Sequence, residues 1–258
     1  MTVPLILLTN DDGISAPGLF HLAEALAPKG DVFVYAPDRQ RSAVGHGVSL
    51  HHPLRVTEVR PHWYMVDGTP ADCAILAVRK LLGRRPNLVV SGINPGANLG
   101  DDVTYSGTVA GAFEGMLLGI PSFSISIIQH HPRHYESAKQ VASLVAAYIL
   151  EEGLPEDVML NVNLPDLPME DITGIAVTSM GRRNYQDEII ERKDPRDGTY
   201  YWIGGAQPDH YIDAGSDFEA IGNNKISITP LRRNLTDYDA LKGLRVSLSS
   251  LQNTSMVP

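Results

Sequence analysis

Near its amino terminus the chain carries Leu5-Ile6-Leu7-Leu8, an unbroken apolar run that stops at Thr9-Asn10-Asp11-Asp12-Gly13. A short apolar run bounded by polar, turn-forming residues suits a strand buried on both faces, and such strands belong to parallel sheets covered by helices on each side. Ligands of these sheets sit beyond the carboxyl ends of the strands, which is where Asp11 and Asp12 fall. Two adjacent carboxylates repel each other and desolvation penalises both, so a site built on them needs a cation or a captured proton. A hard divalent metal meets that need. The alternative is a solvated Asp-Asp-Gly turn, since Asp and Gly are ordinary turn formers.

The pattern downstream supports a layered fold. Ser15 is placed to cap a helix that carries Leu19, Leu22, Ala23 and Leu26 on one face, with Pro17 near its first turn and Pro28 and Gly30 closing it. A strand is predicted over 31–36, followed by the polar loop Pro37-Asp38-Arg39-Gln40-Arg41-Ser42, and a helix over 70–82. A strand over 87–90 runs into Ser91-Gly92-Ile93-Asn94. Helices over 108–118 and 137–152 then alternate with strands over 122–128 and 158–163, the signature of an α/β, Rossmann-like, mostly parallel sheet between helices. From about Ile172 the pattern changes to strands over 175–178, 200–203 and 226–229, more hairpin-like than crossover-like. The charged segment 182–199 reads as a disordered loop or as an arm that orders against a partner subunit. This divides the chain into an α/β catalytic core over 1–171 and, over 172–258, carboxyl-terminal strands, an extended arm and a terminal helix packing on the core and the partner.

With 258 residues, 43% of them hydrophobic, the chain can bury a large core. Its net charge of -9 argues against binding a nucleic-acid polymer, whose phosphates are held by excess Lys and Arg, and leaves a small phosphorylated substrate open. Cys73 is the only cysteine, which excludes intrachain disulfides and cysteine-rich zinc sites and fits a reducing compartment. No basic segment precedes Leu5, and no stretch approaches the roughly 18 apolar residues of a membrane span. A cytoplasmic protein without a membrane partner is the expectation.

A second chemical constellation is Ser91-Gly92-Ile93-Asn94-Pro95-Gly96-Ala97-Asn98-Leu99-Gly100-Asp101-Asp102, followed by Tyr105-Ser106-Gly107-Thr108 at the opening of a helix. The glycines let backbone N–H groups approach a ligand, and hydroxyls beside the positive end of a helix dipole favour an anion. Neither a Walker loop nor a dinucleotide-binding glycine fingerprint is present, so ATP and NAD are not the expected ligands. The same residues could also serve only as turns and a helix cap.

Taken together and in order, Thr9-Asn10-Asp11-Asp12-Gly13, Ala36-Pro37-Asp38-Arg39, Ser91-Gly92-Ile93-Asn94 and Tyr105-Ser106-Gly107-Thr108 closely resemble the motifs of the SurE family. The likeness extends through Gly68-Thr69-Pro70-Ala71-Asp72-Cys73, Asn161-Val162-Asn163-Leu164-Pro165 and Ile226-Ser227-Ile228-Thr229-Pro230. Members are divalent-metal-dependent phosphatases of nucleoside monophosphates. The resemblance implies that Asp11, Asp12, Ser42 and Asn94 hold one divalent ion per subunit, with oxygen donors that suit magnesium or manganese. It implies that Asn98, Ser106, Gly107 and Thr108 cradle phosphate, that 3'-nucleotides and short polyphosphate are allowed as further substrates, and that a carboxyl-terminal arm pairs subunits into a homodimer or tetramer. One departure is the stretch Ser42-Ala43-Val44-Gly45-His46-Gly47, where many relatives have a small residue-Gly pattern.

The expected mechanism is attack of metal-activated water on phosphorus, with Asp11 or Asp12 accepting the proton. Two alternatives remain: an aspartyl-phosphate intermediate, and a nucleotide-binding sensor without turnover. His130, His131 and His134 read as an exposed loop, and Cys73 as a buried inert thiol. The Arg79-Lys80 and Arg84-Arg85 pairs read as a solvated helix end. His46, four residues beyond Ser42, is a loop histidine within conceivable reach of substrate.

Overall fold

The structure, a computed structural model, describes residues 3–184, 189–203, 209–211 and 213–248. Its strands are β1 (Leu5–Thr9), β2 (Asp31–Pro37), β3 (Val56–Arg60), β4 (Trp63–Val66), β5 (Leu88–Pro95), β6 (Ser122–Ile128), β7 (Val158–Pro165), β8 (Ile175–Val177), β9 (Arg182–Asn184), β10 (Ile189–Lys193), β11 (Thr199–Ile203), β12 (Asp209–Tyr211) and β13 (Ile226–Arg232). The α-helices are α1 (Pro17–Leu26), α2 (Pro70–Leu76), α3 (Gly107–Leu117), α4 (Tyr135–Glu152), α5 (Asp217–Gly222) and α6 (Tyr238–Leu248).

One nine-stranded sheet has the order β3-β4-β2-β1-β5-β6-β7-β13-β8. From β4 to β7 every neighbouring pair is parallel, while β3 on β4 and β13 on β7 are antiparallel. The chain builds outward from β1 through β2 and β4, then returns to β5 on the other side of β1 and builds outward again. The order therefore reverses between β1 and β5, and it is outside the carboxyl ends of the strands at such a reversal that sheets of this kind take their ligands.

All of β1 is buried, as the apolar run requires. Ile6 and Leu8 pack with Val90, Phe123 and Ile125 against Leu19, Leu22 and Leu26 of α1 and Val141 and Val145 of α4. Leu7 points the other way and joins Val89, Tyr35, Cys73 and Ala77. Full burial also pushes the Cys73 thiol far above its ordinary range, so it stays protonated and inert.

Several expectations change in detail. The first helix is capped by Ala16 without a side-chain hydrogen bond; Pro17, already fixed near helical φ, sets the start in place of Ser15. The segment predicted as one helix over 70–82 is α-helical only to Leu76 and then widens into a π-helical turn over Ala77–Leu81. The strand predicted over 87–90 continues to Pro95, with a register shift against β6 between Ser91 and Asn94. The β3–β4 hairpin has no counterpart in the sequence reading, because β3 is an edge strand with a mostly exposed, charged face that blunts the alternation.

The carboxyl-terminal part divides in two. Strands β10 and β11 form an antiparallel hairpin, β11 over the strand predicted at 200–203 and β10 within the segment read as a disordered loop or an arm, and β9 pairs with β12, while 185–188 and 204–208 of the arm lie outside the described residues. Strands β8 and β13, by contrast, belong to the central sheet, and Ile226 shares a core with Ile6. The core thus runs past residue 171, since the 226–229 strand needs β7 as its hydrogen-bonding partner. Helix α6 buries no residue, so within one chain it does not pack on the core.

Candidate active site at the β1–β5 crevice

The turn after β1 is closed by Asn10, whose amide nitrogen donates to the Gly13 carbonyl at 3.0 Å and whose amide oxygen accepts the Gly13 N–H at 3.2 Å. Gly13 sits at φ +97°, and a side chain there would meet the Arg39 backbone at 3.1 Å. The loop after β2 is stitched onto this turn: Ile14 N–H donates to the Pro37 carbonyl at 2.8 Å and Arg41 N–H to the Asp11 carbonyl at 2.7 Å. The Arg41 guanidinium donates to Asp38 at 3.0 Å and to the Asp67 carbonyl at 3.2 Å. Ser42 follows directly, exposed, its hydroxyl accepting from the Gln40 amide at 2.9 Å.

Helix α3 approaches from the other side on a stripe of glycines one turn apart. A Cβ at Gly115 would lie 2.7 Å from Val89, one at Gly111 2.7 Å from Thr9 and 2.9 Å from Ser91, and one at Gly107 2.8 Å from Asp11. Without those carbons the helix lies directly on β1 and β5 and delivers its amino terminus to Asp11. The Thr108 hydroxyl donates to Asp11 Oδ1, so Thr108 holds a carboxylate and its hydroxyl proton is not free for phosphate. Ser106 caps the helix by accepting the Val109 N–H at 3.0 Å, which leaves its own proton available. The cap and phosphate readings of Ser106 are therefore compatible.

Asn94 emerges from the irregular stretch of β5, where the register shift re-aims its side chain. Its amide nitrogen donates to the Gly96 carbonyl at 2.9 Å, which leaves the amide oxygen as the end that can ligate a cation. Asn98 is buried on a polar network: its N–H donates to Asn163 Oδ1 at 3.0 Å and its side-chain amide to Ser126 at 2.8 Å. Its carbonyl accepts from Asn161 at 2.8 Å and from Asn163 at 3.0 Å, and Ser124 donates to Asn161 at 2.8 Å. Asn161 and Asn163 belong to a stretch that carries the family resemblance, without a role read for them; for Ser124 and Ser126 the sequence signal is the alternation Ser122-Phe123-Ser124-Ile125-Ser126-Ile127, which marks one polar face on a buried strand.

Electrostatics single out the aspartates. Burial raises the Asp11 carboxyl, an effect opposed by the Thr108 hydrogen bonds. Asp12 is pushed up to about 7, first by burial and then by the charge of Asp11. Asp12 Oδ2 is buried and has no hydrogen-bond partner among the described residues. A divalent cation would satisfy that oxygen and neutralise the pair, and the donors at hand, two carboxylates, an amide oxygen and a hydroxyl, are all the hard oxygens such an ion takes. Among the described residues no cluster of three or more His, Cys, Asp or Glu could hold a metal. His130 and His131 are exposed, and the His134 ring is engaged with Asp166 at 3.1 Å.

The family described as Survival protein SurE matches residues 6–187. The chain belongs to the SurE family. It is 51% identical over 241 residues to a Geobacter sulfurreducens protein named 5'-nucleotidase SurE, covering 93% of this chain and 92% of the relative. It is 52% identical over 238 residues to the Pelobacter propionicus protein of the same name, covering 92% and 96%. The crystal structure of the SurE protein from Aquifex aeolicus superposes with a TM-score of 0.84 at 42% identity, covering 94% of this chain and 99% of that one.

Proposed function

We propose that this SurE protein is a divalent-metal-dependent phosphatase that hydrolyses nucleoside 5'-monophosphates. The observation that carries the reading is the buried, unpartnered Asp12 Oδ2 next in sequence to Asp11, the carboxylate that faces a helix start stripped of side-chain bulk at Gly107. The names of its relatives point the same way.

Asp11, Asp12, Ser42 and the amide oxygen of Asn94 would hold one magnesium or manganese ion per subunit. When bound, the ion supplies Lewis acidity, which activates water and offsets phosphoryl charge. The Ser106 hydroxyl and the free N–H groups at the start of α3 donate to the phosphoryl oxygens. Asn98 keeps one amide proton beyond its bond to Ser126 for the same purpose. Thr108 fixes Asp11, and Asp11 or Asp12 would accept the water proton. All of these contacts are to the phosphoryl group, so 3'-nucleotides and short polyphosphate fall within the same proposal.

Strand β11 leaves Tyr201, Trp202 and Ile203 more than half exposed on the hairpin, which supports pairing of two subunits through this arm in a homodimer or tetramer. No helix among the described residues is long and apolar enough to cross a membrane; the single buried cysteine supports placement in a reducing cytoplasm.

Phosphate release from AMP and GMP, with magnesium or manganese and again after exhaustive EDTA treatment, tests the reading. Turnover lost with EDTA and restored by metal is expected. Unchanged release would refute the metal assignment, and no release with any metal would favour the nucleotide sensor. Acid-quench trapping of a phosphorylated protein would favour the aspartyl-phosphate route.

A further inference from the structure

The loop that brings Ser42 to the site runs irregularly from Asp38 to Arg55, and Ser42, Ala43 and Val44 are exposed. Ala43 sits at φ +56°, a left-handed conformation that an L residue keeps only when its surroundings impose it. The amino-terminal side of the loop is tied to the metal turn by Arg41 N–H on the Asp11 carbonyl. Its far side is tied to α2, where the Thr69 hydroxyl donates to the Gly47 carbonyl at 2.8 Å and Ser49 N–H donates to Asp72 at 2.9 Å.

Between these ends the loop crosses α3. Gly45 N–H donates to the Tyr105 carbonyl at 3.0 Å. His46 Nε2 donates to Glu114 Oε2 at 2.8 Å, and its ring stands edge-on to Phe113 with centroids 5.4 Å apart. Glu114 is only 8% exposed, on a helix otherwise packed by small and apolar residues, and a carboxylate in that setting needs a partner. His46 is that partner, and the contact lies about two turns along α3 from Ser106.

We infer that His46 and Glu114 are a latch that seats the loop and so sets Ser42 against Asp11 and Asp12. The inference rests on Ser42 being a metal ligand, as proposed above. His46 is on this account a positioning residue: its Nε2 is committed to Glu114, and it acts on the cation only through Ser42. Partners that orient a ligand in this way govern metal affinity without touching the metal.

Manganese binding to the full-length, substrate-free protein, followed by the EPR signal of the free ion, separates the possibilities. Ser42→Ala should weaken manganese binding, and His46→Ala should weaken it by about tenfold. In the Ser42→Ala background the second substitution should change affinity by less than about twofold, because the latch then has nothing left to position. His46→Gln, which keeps a side-chain N–H for Glu114, should restore most of the affinity. An unaltered affinity in His46→Ala, or the same loss with and without Ser42, would overturn the latch. If Ser42→Ala binds manganese like the wild type while Asp12→Asn does not, Ser42 is no ligand and the latch falls with it. If the wild type binds no manganese, the metal reading itself fails.

Discussion

Replacing Asp12 by Asn keeps the shape of the side chain and removes its charge, which makes metal-free stability a direct reading of how unwelcome that charge is. In an unfolded chain the carboxyl ionises near 3.8, and in the folded, metal-free site near 7. Across that interval the folded state holds a proton that the unfolded state has released, so folding loses stability as pH rises from 3.8 to 7 and none below 3.8. The full shift corresponds to about 4 kcal/mol at roughly 1.4 kcal/mol per pKa unit. Asp12 is only partly enclosed, so solvent screening reduces this to about 2 kcal/mol. Asn has no such cost. Urea unfolding in EDTA should show Asp12→Asn and wild type nearly equal at pH 4 and the variant more stable by about 2 kcal/mol at pH 8. Phosphate release by the variant should collapse at every pH. Equal stabilities at both pH values would refute the argument that burial and Asp11 oppose the Asp12 charge, and near wild-type turnover would remove Asp12 from the chemistry.

Three further outcomes follow from the geometry. Ser106→Ala should lower kcat/KM by the equivalent of about 1 to 3 kcal/mol for all phosphate monoesters alike, and should cost about 1 kcal/mol of stability through the lost cap; a loss confined to one nucleobase would place Ser106 elsewhere. Gly111→Ala forces a carbon to 2.7 Å from Thr9 and should destabilise by about 1 to 3 kcal/mol in urea unfolding while lowering kcat/KM, although it touches no substrate; an unchanged rate would mean that α3 does not need its close seat. Deleting residues 182–205 should yield monomers or aggregates in sedimentation, and a truncated chain that sediments as the intact oligomer would refute the arm as the subunit contact.

The central strands were legible because burial on both faces writes itself as unbroken apolar runs, and the motif residues were legible because each follows such a run. Thr108 has a neighbour that the sequence does not show: its place at a helix start suggests phosphate, and the seating of α3 on the sheet, through Gly107, Gly111 and Gly115, brings its hydroxyl to Asp11. The resemblance draws on Gly107 for phosphate, whereas the signal for the helix seat is the four-residue spacing of all three glycines. The partnership of His46 with Glu114 joins residues 68 positions apart and leaves no local pattern. Strands β8 and β13 looked like hairpins because turns precede them, whereas pairing at a sheet edge is decided by which partner is free.

The amide network around Asn98 bears on how the protein opens. Ser124, Ser126, Asn161 and Asn163 are fully buried on β6 and β7, and they find partners in one another and in the main chain and side chain of Asn98. If the 96–100 loop lifted away alone, it would strand several amide groups on a closed sheet face, each at about 1 to 3 kcal/mol. The loop is therefore not a separately fraying surface segment. It belongs to the same cooperative unit as the sheet, and its backbone amides should exchange with solvent only in openings that also release β6 and β7.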